Sequence, residues 1–164
     1  MDTNDLLRIA RETIDQGPMC LAITVDQTGE ANARVVQTSK LSNEWTLRFM
    51  TDRRTRKVEE IERTGRLTLA YQDIPANSYV TLVGRAALVD DVTIKTAIWQ
   101  PASYKWHPGG PMDPNVVLIE FTTDRIELWN SPHGVVPDPT KGLWAAALSR
   151  QQTGWRRHIT SRRG

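Results

Sequence analysis

Residues 45–61 read Trp-Thr-Leu-Arg-Phe-Met-Thr-Asp-Arg-Arg-Thr-Arg-Lys-Val-Glu-Glu-Ile, and the change of period within them sets the architecture. Trp45, Leu47 and Phe49 alternate with Thr46, Arg48 and Met50, the two-residue repeat of a half-buried strand. Val58 and Ile61, with glutamates between them, begin a helical repeat. A strand therefore hands over to a helix across Thr51-Asp52-Arg53-Arg54-Thr55-Arg56-Lys57, which sets four cations and two hydroxyls at a helix start. Cations there oppose the helix dipole, and the first amides of a helix lack partners, so the place suits an anion. Two readings are open. In one, the turn is a phosphate seat: the Thr55 hydroxyl caps the helix and donates to phosphate, and Arg56 and Lys57 supply charge-assisted bonds. In the other, it is a solvated loop whose arginines pair with Asp52, Glu59, Glu60 and Glu62.

Working outward, Asp5 to Gln16 sets Leu6, Ile9, Ala10, Thr13 and Ile14 on one face, with Asp5 as cap and Gly17-Pro18 as stop, an amphipathic helix. Met19 to Val25 is an apolar strand. The turn residues Asp26-Gln27-Thr28-Gly29-Glu30 join it to a second strand, Ala31 to Thr38, as a hairpin. The helix after the cationic turn runs from about Thr55 to Arg63 and ends near Gly65. Strands follow over Arg66 to Gln72 and Tyr79 to Val89, and Gly84 inside the latter marks a bulge or a close backbone approach.

Asp90 and Asp91 cap a helix to about Trp99, with Ile94, Ile98 and Trp99 spaced for burial. Residues 100–114 are broken by Pro101, Pro108, Gly109, Gly110, Pro111 and Pro114. Val116 to Thr122 and Arg125 to Asn130 read as a strand pair turning at Thr123-Asp124. Short strands in hairpin order with a few short helices point to a mainly β protein, an antiparallel barrel. No glycine-rich nucleotide loop interrupts them.

With 164 residues the chain fits one domain. We divide it into residues 1–134 and a C-terminal extension, 135–164, that belongs to the same domain or reaches across a dimer. The net charge of +2 hides an asymmetry. Residues 141–164 hold Lys141, Arg150, Arg156, Arg157, Arg162 and Arg163 and no acid, so they carry +6 against −4 for the rest. A basic tail can bind nucleic acid, but it reads first as a terminal arm. Leu143, Trp144, Leu148 and Trp155 suggest packing before the chain frays from Arg156 onward.

Cys20 is the one cysteine, which excludes an internal disulfide and a cysteine-built metal site, and its strand setting points to packing rather than reactivity. No run reaches the length of a membrane span and no leader pattern opens the chain, so a cytoplasmic protein is expected. His107, His133 and His158 share no metal spacing and build no hydrolytic triad, although His107 could stand at a pocket mouth.

Five pieces in order, Arg34-Val35-Val36, Phe49-Met50-Thr51, Thr55-Arg56-Lys57, Tyr79 to Ala86 and Arg125-Ile126-Glu127-Leu128-Trp129, resemble the pyridoxamine 5′-phosphate oxidase-like flavoproteins. The general stress protein branch is the nearer, through the Trp99 region, Pro108-Gly109-Gly110 with Asp113-Pro114, and the closing Glu-x-Trp. The resemblance spans roughly residues 5–130. It implies a split β-barrel, a homodimer, and FMN bound where two subunits meet. Carried over position by position, Arg34, Arg56 and Lys57 would hold the FMN phosphate with Thr55. Val35, Val36, Gln37, Met50 and Thr51 would line the ring system and ribityl chain, and Trp129 would close the site.

The activity implied is that of an oxidoreductase working on a small organic substrate. A flavin-binding sensor or stress-related protein without turnover is the alternative, and a barrel built for the deazaflavin cofactor is a third. Oxidation of vitamin B6 fits poorly. Where that enzyme has an Arg-x-His segment after its Trp, this chain has Asn130-Ser131-Pro132-His133-Gly134, and Arg156-Arg157-His158 lies far along the chain.

Overall fold

Leu6, Ile9, Ala10, Thr13 and Ile14 are buried as a single stripe of helix α1 (Thr3–Ile14). Its cap is Asp2, not Asp5. The Asp2 carboxylate accepts from Asp5 N at 2.9 Å while the Asp5 carboxylate accepts from Asp2 N at 3.0 Å, a reciprocal box in which Asp5 is the third helical residue. The computed structural model describes residues 1–159.

The strands are β1 (Met19–Val25), β2 (Ala31–Gln37), β3 (Thr46–Asp52), β4 (Arg66–Asp73), β5 (Ser78–Val89), β6 (Val116–Asn130), β7 (Ala146–Arg150) and β8 (Trp155–Ile159). They form an eight-stranded sheet in the order β2-β1-β4-β5-β6-β7-β8, with β3 paired to β6, and every pairing is antiparallel. Helix α2 (Arg56–Thr64) follows β3 and α3 (Val92–Ile98) follows β5. The mainly β, antiparallel expectation holds. The inward faces of the strands meet in one core through Leu47, Phe49, Leu69, Leu82, Phe121, Ile126 and Leu128.

The two strands read for 116–130 are one. Strand β6 runs on through Thr123-Asp124 because it carries a bulge there: Val83 pairs with Arg125 and Gly84 with Thr123, which leaves Asp124 as the extra residue. Gly84 also meets the other expectation placed on it. A Cβ built there would lie 2.0 Å from the Thr122 carbonyl oxygen, so only glycine admits the crossing strand. The bend lets the two ends of β6 take different partners, β3 at Val116–Thr122 and β7 at Arg125–Leu128.

Trp45 stands outside β3, with φ at 62° and its ring buried. Arg11 stacks 4.3 Å from its centroid and Trp155 meets it edge-on at 5.5 Å, so packing holds a backbone state that a non-glycine residue resists by about 1 kcal/mol. Arg156 onward does not fray at once: β8 carries Arg156, Arg157 and His158 along β7. Leu148 and Trp155 pack as expected, whereas Leu143 and Trp144 lie exposed. Arg162 and Arg163 of the basic tail lie outside the described residues.

In α3 the buried residue is Lys95, not Ile94, Ile98 or Trp99, which are half-buried. Its ammonium donates to Asp90 at 3.0 Å and to the Val116 carbonyl at 2.9 Å, tying the helix to the start of β6. Asp91 alone caps α3, accepting from Ile94 N. Cys20 is buried and its thiol is pushed up to about 11, chiefly by burial, in keeping with a packing role. Among the described residues no helix is long and apolar enough to cross a membrane, and no cluster of His, Cys, Asp and Glu could hold a metal ion.

Candidate functional site at the seam of the barrel

β2 and β3 are joined at one end and open at the other. Ser39 N donates to the Arg48 carbonyl at 2.8 Å and Arg48 N to Ser39 Oγ at 2.9 Å. Beyond that point no ladder joins the two strands among the described residues. Continuing the register would set Gln37 beside Met50 and Val35 beside Asp52, so Val35, Val36, Gln37, Met50 and Thr51 flank this seam. Val36 and Thr51 are buried, Met50 is half-buried, and Val35 and Gln37 are exposed. A strand edge bordering an open seam leaves backbone N–H and C=O groups available to a ligand.

The cationic turn lies at the open end of the seam, where β3 enters α2. Thr55 occupies the cap position of α2 but makes no capping bond, contrary to the role read for it. Its hydroxyl donates instead to the Asp52 carbonyl at 2.8 Å and receives Lys57 Nζ at 3.2 Å. The first amides of α2, on Arg56 and Lys57, meet no protein acceptor among the described residues. Asp52 turns toward Arg54, accepting from its backbone N at 2.8 Å and from its guanidinium at 2.6 Å. Those bonds, the side-chain one first, lower the Asp52 carboxyl to about 2.

The solvated-loop reading is thus realised in part. Arg54 pairs with Asp52, Arg53 with Asp90, and both Arg34 and Arg56 with Glu60, while Lys95 shares Asp90. Five cations divide three carboxylates, so a positive surplus remains. Lys57 makes no ion pair among the described residues, and burial first, then the Arg34 charge, pushes its ammonium below the usual lysine range. Arg34, Thr55 and Lys57 are therefore gathered around one spot. Arg56, 66% exposed along its side chain, leans back 3.6 Å from Glu60 and contributes mainly long-range charge.

Within one chain Trp129 lies toward the far end of β6 from Val117, the residue paired with Thr51. It sits beside Tyr79, ring centroids 6.3 Å apart, on the outer face of the sheet. That face is apolar where it meets solvent, with Met19, Leu21 and Val35 exposed on adjacent strands. A shallow groove of about 380 Å³ runs over them toward Ala70, Tyr79 and Thr81.

Two residues near the turn escaped the sequence reading of the seat. Glu60, 3% exposed, was visible as one acid among four, but helical spacing does not tell which of them points inward against β2. His107, noted as a pocket-mouth residue, is half-buried on the 100–114 loop, close enough to Asp52, Asp113 and Lys57 to feel their charges. Burial lowers its imidazole below the ordinary range, and the two carboxylates oppose that shift.

The order of these elements agrees with the comparison of sequences. The sequence profile of the family described as pyridoxamine 5′-phosphate oxidase like matches residues 5–152. The chain belongs to the pyridoxamine 5′-phosphate oxidase-like family. Solved structures repeat its fold at low identity. A Clostridium acetobutylicum protein related to general stress protein 26 of B. subtilis is 20% identical, with a TM-score of 0.68 over 79% of this chain and 91% of that one. A pyridoxamine 5′-phosphate oxidase-related, FMN-binding protein from Nostoc punctiforme PCC 73102 is 13% identical, with a TM-score of 0.70 over 97% and 96%.

PhzG from Burkholderia lata 383, solved with tetrahydrophenazine-1-carboxylic acid, gives 14% identity and 0.69 over 96% and 91%. No curated protein matches the chain in sequence. In this family member the segment after Trp129 is a closed structural turn. Asn130 donates to Thr13 at 3.0 Å, accepts from His133 N at 3.0 Å and bridges to Val135. Arg156-Arg157-His158 lies on β8, where His158 bonds Ser149 at 2.8 Å.

Proposed function

We propose that this chain is an FMN-binding flavoprotein, active as a homodimer, that oxidises or reduces a small organic substrate. The observation that carries the reading is the uncompensated positive charge at the start of α2: free amides, a lysine with no carboxylate, and Arg34 facing them from β2. A phosphate monoester is nearly a dianion at neutral pH and matches that surplus. Arg34, Thr55 and Lys57 would hold it, with Arg56 as a weaker partner. Val35, Val36, Gln37, Met50 and Thr51 would receive the ribityl chain and ring along the seam.

When bound, the flavin supplies the redox chemistry, so the protein has only to orient it, exclude water and shape a substrate pocket. His107, whose imidazole burial lowers and which lies near Asp52, Asp113 and Lys57, would be the side chain to accept or return a proton there.

The outer face of the sheet supports the dimer reading. Trp129 sits beside Tyr79 on the sheet face where Met19, Leu21 and Val35 are exposed, an apolar strip that a second copy would cover. Trp129 of one protomer would then close the seam of its partner.

The test is to purify the protein, release any bound chromophore by denaturation and identify it, then measure steady-state oxidation of NADH or NADPH with added acceptors. Released FMN with turnover supports the whole reading. FMN without turnover under any donor leaves a carrier or sensor and removes the oxidoreductase claim. A colourless protein that does not take up FMN rejects the reading at its root.

A further inference from the structure

Arg34 is held from behind by two buried side chains that never reach the seam. Its Nη1 donates to Thr24 Oγ1 at 2.5 Å and to the Ala22 carbonyl at 3.3 Å, and its Nη2 to Glu60 at 3.4 Å. The Thr24 hydroxyl passes its own hydrogen to Glu60 Oε2, and Asn32 Nδ2 donates to Glu60 Oε1 at 2.9 Å. Thr24 is 1% exposed and Glu60 3%, so both are enclosed between β1, β2 and α2. A guanidinium has five N–H donors. With three of them directed inward, the Nε hydrogen and one Nη2 hydrogen remain on a single edge, the fork that grips an oxyanion at two points. The inward bonds fix the direction in which that edge faces.

We propose that Thr24 and Glu60 are positioning residues for phosphate recognition: they hold the Arg34 guanidinium so that its free edge faces the seam. This rests on the FMN reading above and adds the device that makes the seat selective for a phosphorylated flavin. An arginine on an edge strand, left to itself, would lose part of its binding strength to side-chain freedom, and the pair removes that freedom beforehand. Asn32 serves the same carboxylate from the strand that carries Arg34, so a single acid links helix, strand and cation.

The decisive variant is Thr24→Val, which keeps shape and charge and removes only the hydroxyl between Arg34 and Glu60. FMN and riboflavin are titrated into wild type, Thr24→Val and Glu60→Gln by flavin fluorescence, with thermal unfolding recorded for each. The expected result for Thr24→Val is an approximately tenfold loss of FMN affinity with riboflavin affinity changed less than about twofold. Glu60→Gln should likewise narrow the preference for FMN, although loss of a negative charge would by itself favour phosphate.

Wild type preferring FMN while Thr24→Val keeps the full preference overturns this inference and leaves the cofactor reading standing. Parallel loss of both flavins with a lowered melting temperature also overturns it, since that marks a general structural role. A gain in FMN preference in Glu60→Gln would make Glu60 a competing anion and reject its positioning role. Wild type that does not distinguish the two flavins defeats the cofactor reading itself.

Discussion

Lys57 and Arg56 are neighbours in sequence with different tasks. Lys57 is half-buried, bonded to the Thr55 hydroxyl and free of carboxylates among the described residues; Arg56 is mostly exposed and leans on Glu60. Replacing Lys57 or Arg34 by Ala should weaken FMN by about 1.5–3 kcal/mol, the range for hydrogen bonds to a charged group, whereas Arg56→Ala should cost less than about 1 kcal/mol. Calorimetric titration of the three variants checks the order.

The lowered Lys57 ammonium gives a pH dependence with a definite sign. FMN affinity should rise as the phosphate loses its second proton near about pH 6. It should hold above that, then fall as pH climbs through the Lys57 value, earlier than an ordinary lysine would allow. Lys57→Arg should move that upper break out of range, and an unshifted break would contradict the assignment. Asp52 acts at the acid end. Its folded value of about 2 lies below the unfolded 3.8, so its contribution to stability is present above that unfolded value and fades as pH drops from 3.8 toward 2. Because its Arg54 partner is largely exposed, the effect in Asp52→Asn should be small.

At the level of elements, Gly84 carries the sharpest expectation. A methyl group there would meet the Thr122 carbonyl oxygen of β6, so Gly84→Ala should destabilise the fold by about 2–3 kcal/mol and lower the melting temperature by roughly 5–10 °C. An unchanged melting temperature would mean that the bulge relaxes freely.

The same region shows what the sequence could and could not announce. Strand alternation and the breaker Gly65 located β1 to β5 and α2 within a residue or two, because those signals are local. Thr123-Asp124 looked like a turn because two polar residues split an apolar run. What carries β6 on through these residues is a bulge opposite Gly84, a pairing between residues far apart in sequence that no window reveals. The caps moved for a similar reason. Asp2 and Asp5 satisfy each other, and only geometry tells which is the cap and which the third helical residue. For the candidate site, local composition found the cations but not their partners. Glu60 is the inward acid because α2 packs on β1 and β5, where its carboxylate meets Asn32 and Arg34 of β2.

Over the whole molecule, the proposed site draws Trp129 from a second chain. Met19, Leu21 and Val35 leave an apolar strip exposed on the face that also carries Tyr79 and Trp129. Leu21→Glu should place a charge on that strip and convert a particle of twice the 18.6 kDa chain mass into a monomer, as read by sedimentation equilibrium, with FMN affinity falling in parallel. A monomeric wild type that still binds FMN tightly would remove Trp129 from the site and leave the seat intact.

The central claim is that the start of α2, faced by Arg34, holds the phosphate of a flavin, and paired titrations of wild type with FMN and riboflavin test it most directly. The two ligands share every atom except the phosphate. The account predicts that FMN binds at least about a hundredfold more tightly, the equivalent of two charge-assisted bonds at the lower end of their range. Equal affinity for the two would contradict it.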